Sequence, residues 1–388
     1  MIPLAYNLRN LTVRKTTTAA AAFGLGLVVF IVASAMMLSN GVRAATKRST
    51  DPNVAIVIRK GSNAEMESGI EEQNVGLIAA APGVARAANG QPDAVGELMV
   101  VVLLDKIDGG FSNVQLRGVP DNAMAFRPNM KIVEGRAAQP GTDEAIVGKS
   151  IRGRFKGLEL GQGFEMRKNR PIKIVGVFED NCSSYESEVW GDTNFIRATF
   201  GRQSIVSSVR VRLESPDKFD AFKANVEANR QLNVTAQRDS EWALKQTQGT
   251  ALFLSALGIV IAFFFSVGAI IGAMITMHAT VAQRQREIGT LRALGFSRLQ
   301  ILTSFLIESV ILALAGGAVG ALASLLMSLK RVSMMNFQTW SELSFKFEPT
   351  PQILITAMVV AAVMGILGGF FPAIRAARIN PVVAMRGG

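Results

Sequence analysis

The sequence predicts a membrane α-helical fold with four transmembrane helices and a large mixed α/β extracytoplasmic domain between helices 1 and 2. Three observations carry that prediction. The 388-residue chain is 49% apolar and only 18% charged, below the roughly 25% of soluble domains. Four stretches are long and apolar enough to cross a bilayer, which takes about 20 residues. A polar stretch of ordinary globular composition, residues 40–249, separates the first from the second.

In chain order, residues 1–15 read as an amphipathic elbow helix, with Leu4, Leu8 and Leu11 on one face. Residues 16–39 form the first span, with no charge between Lys15 and Arg43. A signal peptide is the competing reading, because Ala33-Ser34-Ala35 resembles a cleavage site. The apolar run is longer than the roughly 7–15 residues of a signal core, so a retained helix is favoured. Within residues 40–249, strands are expected at 53–58, 97–104, 112–118, 144–147, 172–179 and 207–213, with a turn at Asp108-Gly109-Gly110. Helices are expected at 65–80 and 216–229, and the loop-rich 120–200 reads as a separate subdomain. The second span covers 250–278 and, at 1.5 Å per residue, exceeds the roughly 30 Å hydrocarbon core, so it continues as a stalk. A short cytoplasmic helix is expected at 282–298 and a third span at 301–329, the latter with one charge, Glu308. A loop at 330–351, a fourth span at 352–371 and a tail at 372–388 complete the chain.

Charge orients these spans. The net charge is +11, and each of the segments 1–15, 282–300 and 372–388 carries +3. Residues 40–249 hold 28 basic and 26 acidic side chains, only +2, and the loop 330–351 carries +1. By the positive-inside rule both termini and the 282–300 loop are cytoplasmic and the large domain lies outside. The excess charge is thus a topology signal and implies no nucleic-acid partner.

Several chemistries are disfavoured. One cysteine, Cys182, and one histidine, His278, build neither an internal disulfide nor a multi-histidine metal site. Gly148-Lys149-Ser150 resembles the end of a phosphate-binding loop, but the preceding glycine, Gly141, is misplaced and no glycine-rich turn opens a helix. The acidic, hydroxyl-rich run 179–188 reads as a solvated, partner-facing loop, because no outside histidine is present to activate Cys182. Glu308 has two readings, a coupling or proton-relay group and a structural carboxylate. The structural one is favoured, with backbone, Arg292 or Arg298 as partner, since an unpaired charge in a span costs about 2–3.5 kcal/mol.

The most informative segment follows the second span. Arg284, Arg286, Glu287 and Arg292 supply charge, while Ile288, Leu291 and Leu294 recur at helical spacing. Gly295 and Ser297 read as a helix stop and the cap of the next helix. An ordinary positive-inside loop and a lever for a cytosolic partner both remain open on these residues alone. The run Arg286-Glu287-Ile288-Gly289 with Leu291-Arg292-Ala293-Leu294-Gly295 resembles ABC-transporter permeases of the MacB/FtsX type, the type VII or mechanotransmission permeases. Gly316-Gly317-Ala318-Val319-Gly320 in the third span and Phe371-Pro372-Ala373-Ile374-Arg375 near the end add to the likeness. So do Gly135-Arg136, residues 144–148 and Ile174-Val175-Gly176-Val177-Phe178, which resemble the family's periplasmic core domain.

The resemblance implies a bacterial inner-membrane, multi-pass protein whose 282–298 segment is a coupling helix seated on a cytosolic ABC ATPase dimer. Arg284, Arg286, Glu287, Ile288, Gly289, Leu291, Arg292, Ala293, Leu294 and Gly295 are then the ATPase-coupling residues. The sequence contains no Walker A motif, so ATP and magnesium are expected on a separate subunit, with no cofactor and no catalytic residue on this chain. This split arrangement is similar to LolC/LolE and FtsX rather than to MacB, whose ATPase is fused. A second permease subunit, identical or paralogous, is implied, as are membrane lipid and a periplasmic adaptor or membrane-fusion protein. The implied function is export or extraction of a lipoprotein, lipid, peptide or drug. The alternative is an FtsX-like regulator of a periplasmic cell-wall hydrolase.

Overall fold

The computed structural model describes residues 15–381 and Ala384. The expected elbow helix at 1–15 therefore lies, but for Lys15, outside the described residues. The first helix, α1, is Lys15–Arg48, followed by β1 (Val54–Arg59), β2 (Ile70–Glu71) and α2 (Glu72–Ala79). Next come β3 (Ala94–Asp105), β4 (Phe111–Val119), α3 (Ala123–Phe126), β5 (Lys131–Gly135) and β6 (Glu144–Gly148). Then β7 (Gly163–Arg167), β8 (Arg170–Glu179), β9 (Glu188–Asp192), α4 (Thr193–Phe200), β10 (Ile205–Val206) and β11 (Ser208–Arg212) lead to α5 (Phe219–Ala228) and β12 (Val234–Arg238). The remainder is α6 (Asp239–Gln283), α7 (Gln285–Ala293), α8 (Arg298–Leu325), the hairpin β13 (Arg331–Met335) and β14 (Glu342–Lys346), and α9 (Pro351–Ala377).

Two compact units result. In the helical unit, α1, α6, α8 and α9 are the four described helices long and apolar enough to cross a membrane. Helix α1 runs past the expected end at 39, because nothing breaks it before Asp51-Pro52. Small residues let the backbones approach, the usual basis of helix packing in lipid. A Cβ on Gly320 would lie 2.8 Å from the Gly26 carbonyl carbon, and one on Gly317 would lie 2.8 Å from the Ala361 Cβ. The Ser309 hydroxyl donates to the Gly365 carbonyl at 2.6 Å, tying α8 to α9. Helix α6, by contrast, leaves Ile259, Phe263, Phe264 and Ile275 exposed.

The α/β unit is built on a ten-stranded sheet in the order β12-β1-β11-β3-β4-β9-β6-β8-β5, with β7 paired to β8. Only β4–β9 and β6–β8 run parallel within it. Strands β3 and β4 pair from Leu98↔Gly118 to Asp105↔Phe111 across the Asp108-Gly109-Gly110 turn, where both glycines take positive φ. Alternation sorts the side chains of each strand onto two faces. One face buries two apolar cores. Leu98, Val114, Val147 and Ile174 pack with Phe155 and with Ile196 of α4. Ala55, Val57 and Val209 pack with Ile78 of α2 and Phe222 of α5. The opposite face carries Ile56 and Ile58 against Trp242, and beside them a buried set of charges. The hairpin β13–β14 belongs to this unit through Lys106–Glu342 at 3.1 Å, Arg331–Glu186 at 3.3 Å and the Arg154–Glu342 pair.

Three expectations are corrected. The 65–80 stretch is not one helix: Ser68-Gly69 interrupts it, giving a 3-10 turn at Glu65–Glu67, then β2 and α2. Residues 120–200 are not a separate subdomain, because β5–β9 join the common sheet. The 179–188 run is not a solvated loop. The buried Glu186 carboxylate accepts from the Asp180 and Cys182 amides at 3.0 and 2.7 Å and from the Ser150 hydroxyl at 2.7 Å. Its acidic appearance thus reflects internal hydrogen bonding.

Candidate functional site

The site is α7 and its junctions with α6 and α8. Helix α6 ends at Gln283, and Arg284 takes a non-helical backbone (φ −105°, ψ 16°) that redirects the chain into α7. At the other end the Phe296 amide donates to the Leu291 carbonyl and the Gly295 amide to the Arg292 carbonyl, both at 3.2 Å. With Gly295 at φ +96° this is a Schellman stop, a conformation that favours glycine. Ser297 and Gln300 then form a reciprocal capping box that starts α8. These stops fix the length and direction of α7 from both sides.

One face of α7 is anchored. Ile288 is buried with Met277, Val281, Ile301, Phe305, Ala373 and Ala376, and Leu291 packs against the same cluster. Gly289 is buried where a Cβ would lie 2.8 Å from that of Ala384. The Arg284 guanidinium donates to Glu308 Oε2 and Glu287 Oε2, each at 2.9 Å, and lies 5.0 Å from the centre of the Phe305 ring. Arg284 and Glu308 are each about 5% exposed. The pair thus compensates the intramembrane carboxylate, whereas the sequence pointed to backbone, Arg292 or Arg298 as the partner. Arg292 instead donates to the Phe296 carbonyl at 3.1 Å, and Arg298 is exposed. Position explains the difference: Arg284 stands at the bend, where its side chain can reach inward to α8. No arithmetic on helical spacing reveals that bend.

The other face is open. Arg286, Glu287, Ala293, Leu294 and Gly295 are exposed, and Leu294, an apolar side chain, is 73% exposed. The ten coupling candidates therefore divide. Ile288, Gly289, Leu291 and Arg284 hold the helix in place, Glu287 accepts from Arg284, and Arg292 and Gly295 form its stop, while Arg286, Ala293 and Leu294 face outward.

Residues 18–229 match the MacB-like periplasmic core domain family and residues 259–381 match the FtsX-like permease C-terminal family. The macrolide export ATP-binding/permease protein MacB of Escherichia coli O157:H7 is 31% identical over 227 residues, 56% of this chain and 34% of that protein. The MacB protein of Shigella boydii serotype 4 is 30% identical over the same length. This chain thus spans about a third of the length of the curated relatives it matches. Among solved structures, the extracellular domain of the noncanonic ABC-type transporter YknZ from Gram-positive bacteria aligns at 16% identity and TM-score 0.37, over 48% of this chain and 100% of that one. The periplasmic region of MacB from Actinobacillus actinomycetemcomitans aligns at 12% identity and TM-score 0.35, over 51% and 92%. The two family matches define the class, a multi-pass permease with an α/β domain between its first two membrane helices. The chain belongs to the MacB/FtsX-type ABC transporter permeases.

Proposed function

We propose that this chain is the permease subunit of an ABC complex and that α7 is its coupling helix, seated on a separate cytosolic ATPase dimer that holds ATP and magnesium. The observation that carries this reading is the two-faced α7, fixed by Ile288, Gly289 and the Arg284–Glu308 pair while presenting Arg286 and Leu294 outward. In this reading both termini and α7 are cytoplasmic in a bacterial inner membrane, in keeping with the basic flanks. ATPase closure pushes α7, and the push passes through the bend at Arg284 into α6, one continuous helix back to Asp239. A second permease subunit, identical or paralogous, completes the complex, and an adaptor or membrane-fusion protein receives the cargo outside. The work is export or extraction of a lipoprotein, lipid, peptide or drug. The macrolide export named for the MacB relatives supports an efflux cargo.

Co-purification in mild detergent followed by an ATPase assay tests the reading. The wild-type chain should recover a nucleotide-hydrolysing partner. Arg286→Glu with Leu294→Ala should reduce recovery at least about ten-fold, as loss of about 1.4 kcal/mol at an interface does, while leaving membrane insertion unchanged. Recovery of no ATPase by the wild type, or equal recovery by the double variant, would remove α7 from the coupling role.

A further inference from the structure

The α/β unit holds a buried charge network that the coupling mechanism leaves unused. Arg117 donates bidentately to Glu188 at 2.7 Å and also reaches Glu65 at 2.9 Å and Glu97 at 3.1 Å. Arg210 reaches Glu65 at 2.5 Å and Glu97 at 2.8 Å, and Arg127 reaches Glu97 at 2.6 Å. Asp239, the first residue of α6, is the fourth carboxyl, with a contact of 3.3 Å to Arg210 Nε. These seven side chains are all less than 10% exposed. Three guanidiniums thus face four carboxyls in a buried site. A net buried charge is costly unless it is neutralised. The other three carboxyls each have a contact of 2.9 Å or shorter to an arginine, whereas the Asp239 contact is the longest.

We propose that Asp239 binds the proton that neutralises this network and that this proton locks the root of α6 to the sheet. The inference is independent of the ATPase, since it concerns the α/β unit alone. Asp239 lines a cavity of about 80 Å³, large enough to admit water as the route for proton exchange. Across that cavity stand Arg48 at the end of α1, Asp51, Arg127 after α3, Arg212 of β11 and Asp180 with Tyr185 before β9. Arg212 is engaged by Asp51 and Asp93, and Asp180 by Ser183. On the other side, Glu65, Arg117, Glu188 and Arg210 share with Asp239 a second cavity of about 70 Å³. Glu97 completes the surround from β3 through Arg127 and Arg210.

The electrostatics agree in sign. Burial pushes the Asp239 carboxyl above its ordinary range by more than Arg210 and Arg127 pull it down. Burial acts the same way on Glu65 and Glu97, but there the arginines win and both carboxyls titrate below the usual range. A carboxyl raised in the folded state adds stability that is full below its unfolded pKa and is lost as pH rises through the folded value. The two lowered carboxyls add stability above their unfolded pKa, lost only as pH falls through their folded values. Above the acid range, then, Asp239 makes the α6 root loosen as pH rises.

Infrared titration of the full chain in detergent tests this. As pH is raised past about 3.9, where an ordinary aspartate ionises, the wild type should retain a protonated-carboxyl stretch that D239N lacks. A wild type without that band overturns the proposal, and so does a band that persists in D239N, which would assign the proton to another carboxyl such as Asp180. Amide-exchange protection over residues 240–247 gives a second readout. In the wild type it should fall as pH rises from the ordinary aspartate range to the folded titration point, by up to about ten-fold per pH unit, and level off above it. In D239N, whose amide keeps a neutral hydrogen-bonding group, it should be flat. A pH-independent wild type, or the same slope in both proteins, would sink the idea. The wild-type titration needs no variant, so a D239N that does not fold leaves the proposal open to refutation.

Discussion

The two units meet the problem of a buried interior in opposite ways. The α/β unit hides apolar side chains on both sheet faces and, on one of them, also encloses Arg117, Arg127 and Arg210 with four carboxyls. The helical unit relies on glycine-lined seams, Gly26 against Gly320 and Gly317 against Ala361, with the ion pair Arg284–Glu308 tying the bend after α6 to α8. The solvent explains the contrast. Between lipid-soaked helices there is no hydrophobic drive to bury one apolar surface against another, so close backbone approach supplies the attraction. In water the apolar cores supply it, and a charge network can be added for specificity of geometry.

Breaking the network should have the largest effect. Arg210→Ala strands Asp239 and weakens the hold on Glu65 and Glu97. Removing one partner of a buried ion pair costs about 3–5 kcal/mol. All three tryptophans, Trp190, Trp242 and Trp340, lie in the α/β unit, so their fluorescence follows its unfolding selectively. The Arg210→Ala midpoint in urea should therefore fall sharply. An unchanged midpoint would mean that the apolar cores alone determine stability.

Gly320→Val tests the other side of the comparison. Its Cβ would lie 2.8 Å from the Gly26 carbonyl carbon and 3.1 Å from the Gly26 Cα, backbone that cannot swing away. Overpacking of this kind costs about 1–3 kcal/mol. The variant should lose detergent-stable protein while the tryptophan midpoint stays at the wild-type value. If the tryptophan signal shifts as well, the two units are energetically coupled.

The two kinds of interior were not equally readable. The four spans and the intervening domain follow from apolar run length, and the α7 stop and α8 cap from Gly295 and Ser297, because these depend on local chain physics. The network was not legible. Arg210 and Arg212 alternate with Val209 and Val211, a pattern that ordinarily marks a solvated face, yet Arg210 is 4% exposed. Its partners, Glu65, Glu97 and Asp239, come from distant parts of the chain and meet only when the sheet order brings β3 beside β11. Glu308 was legible as a carboxylate in need of compensation. Its partner was not, because the bend at Arg284 is a property of the assembled bundle.

The smallest effect separates charge from side-chain chemistry within one loop. Cys182 has φ +57° and lies in the run organised by Glu186, whose carboxylate accepts from the Cys182 amide at 2.7 Å. The loop's geometry rests on that carboxylate and on the Arg331 guanidinium 3.3 Å away. The thiol makes only a 3.8 Å contact to Arg331. Serine preserves the amide and a small polar tip, so Cys182→Ser should move the tryptophan midpoint by less than about 0.5 kcal/mol. Glu186→Ala leaves the Asp180 and Cys182 amides and the Ser150 hydroxyl without their acceptor. It should cost at least about 1–3 kcal/mol. If the two variants prove equally damaging, the thiol has a role that hydrogen bonding does not explain, and the loop does not follow the charge-organised logic of the rest of its unit.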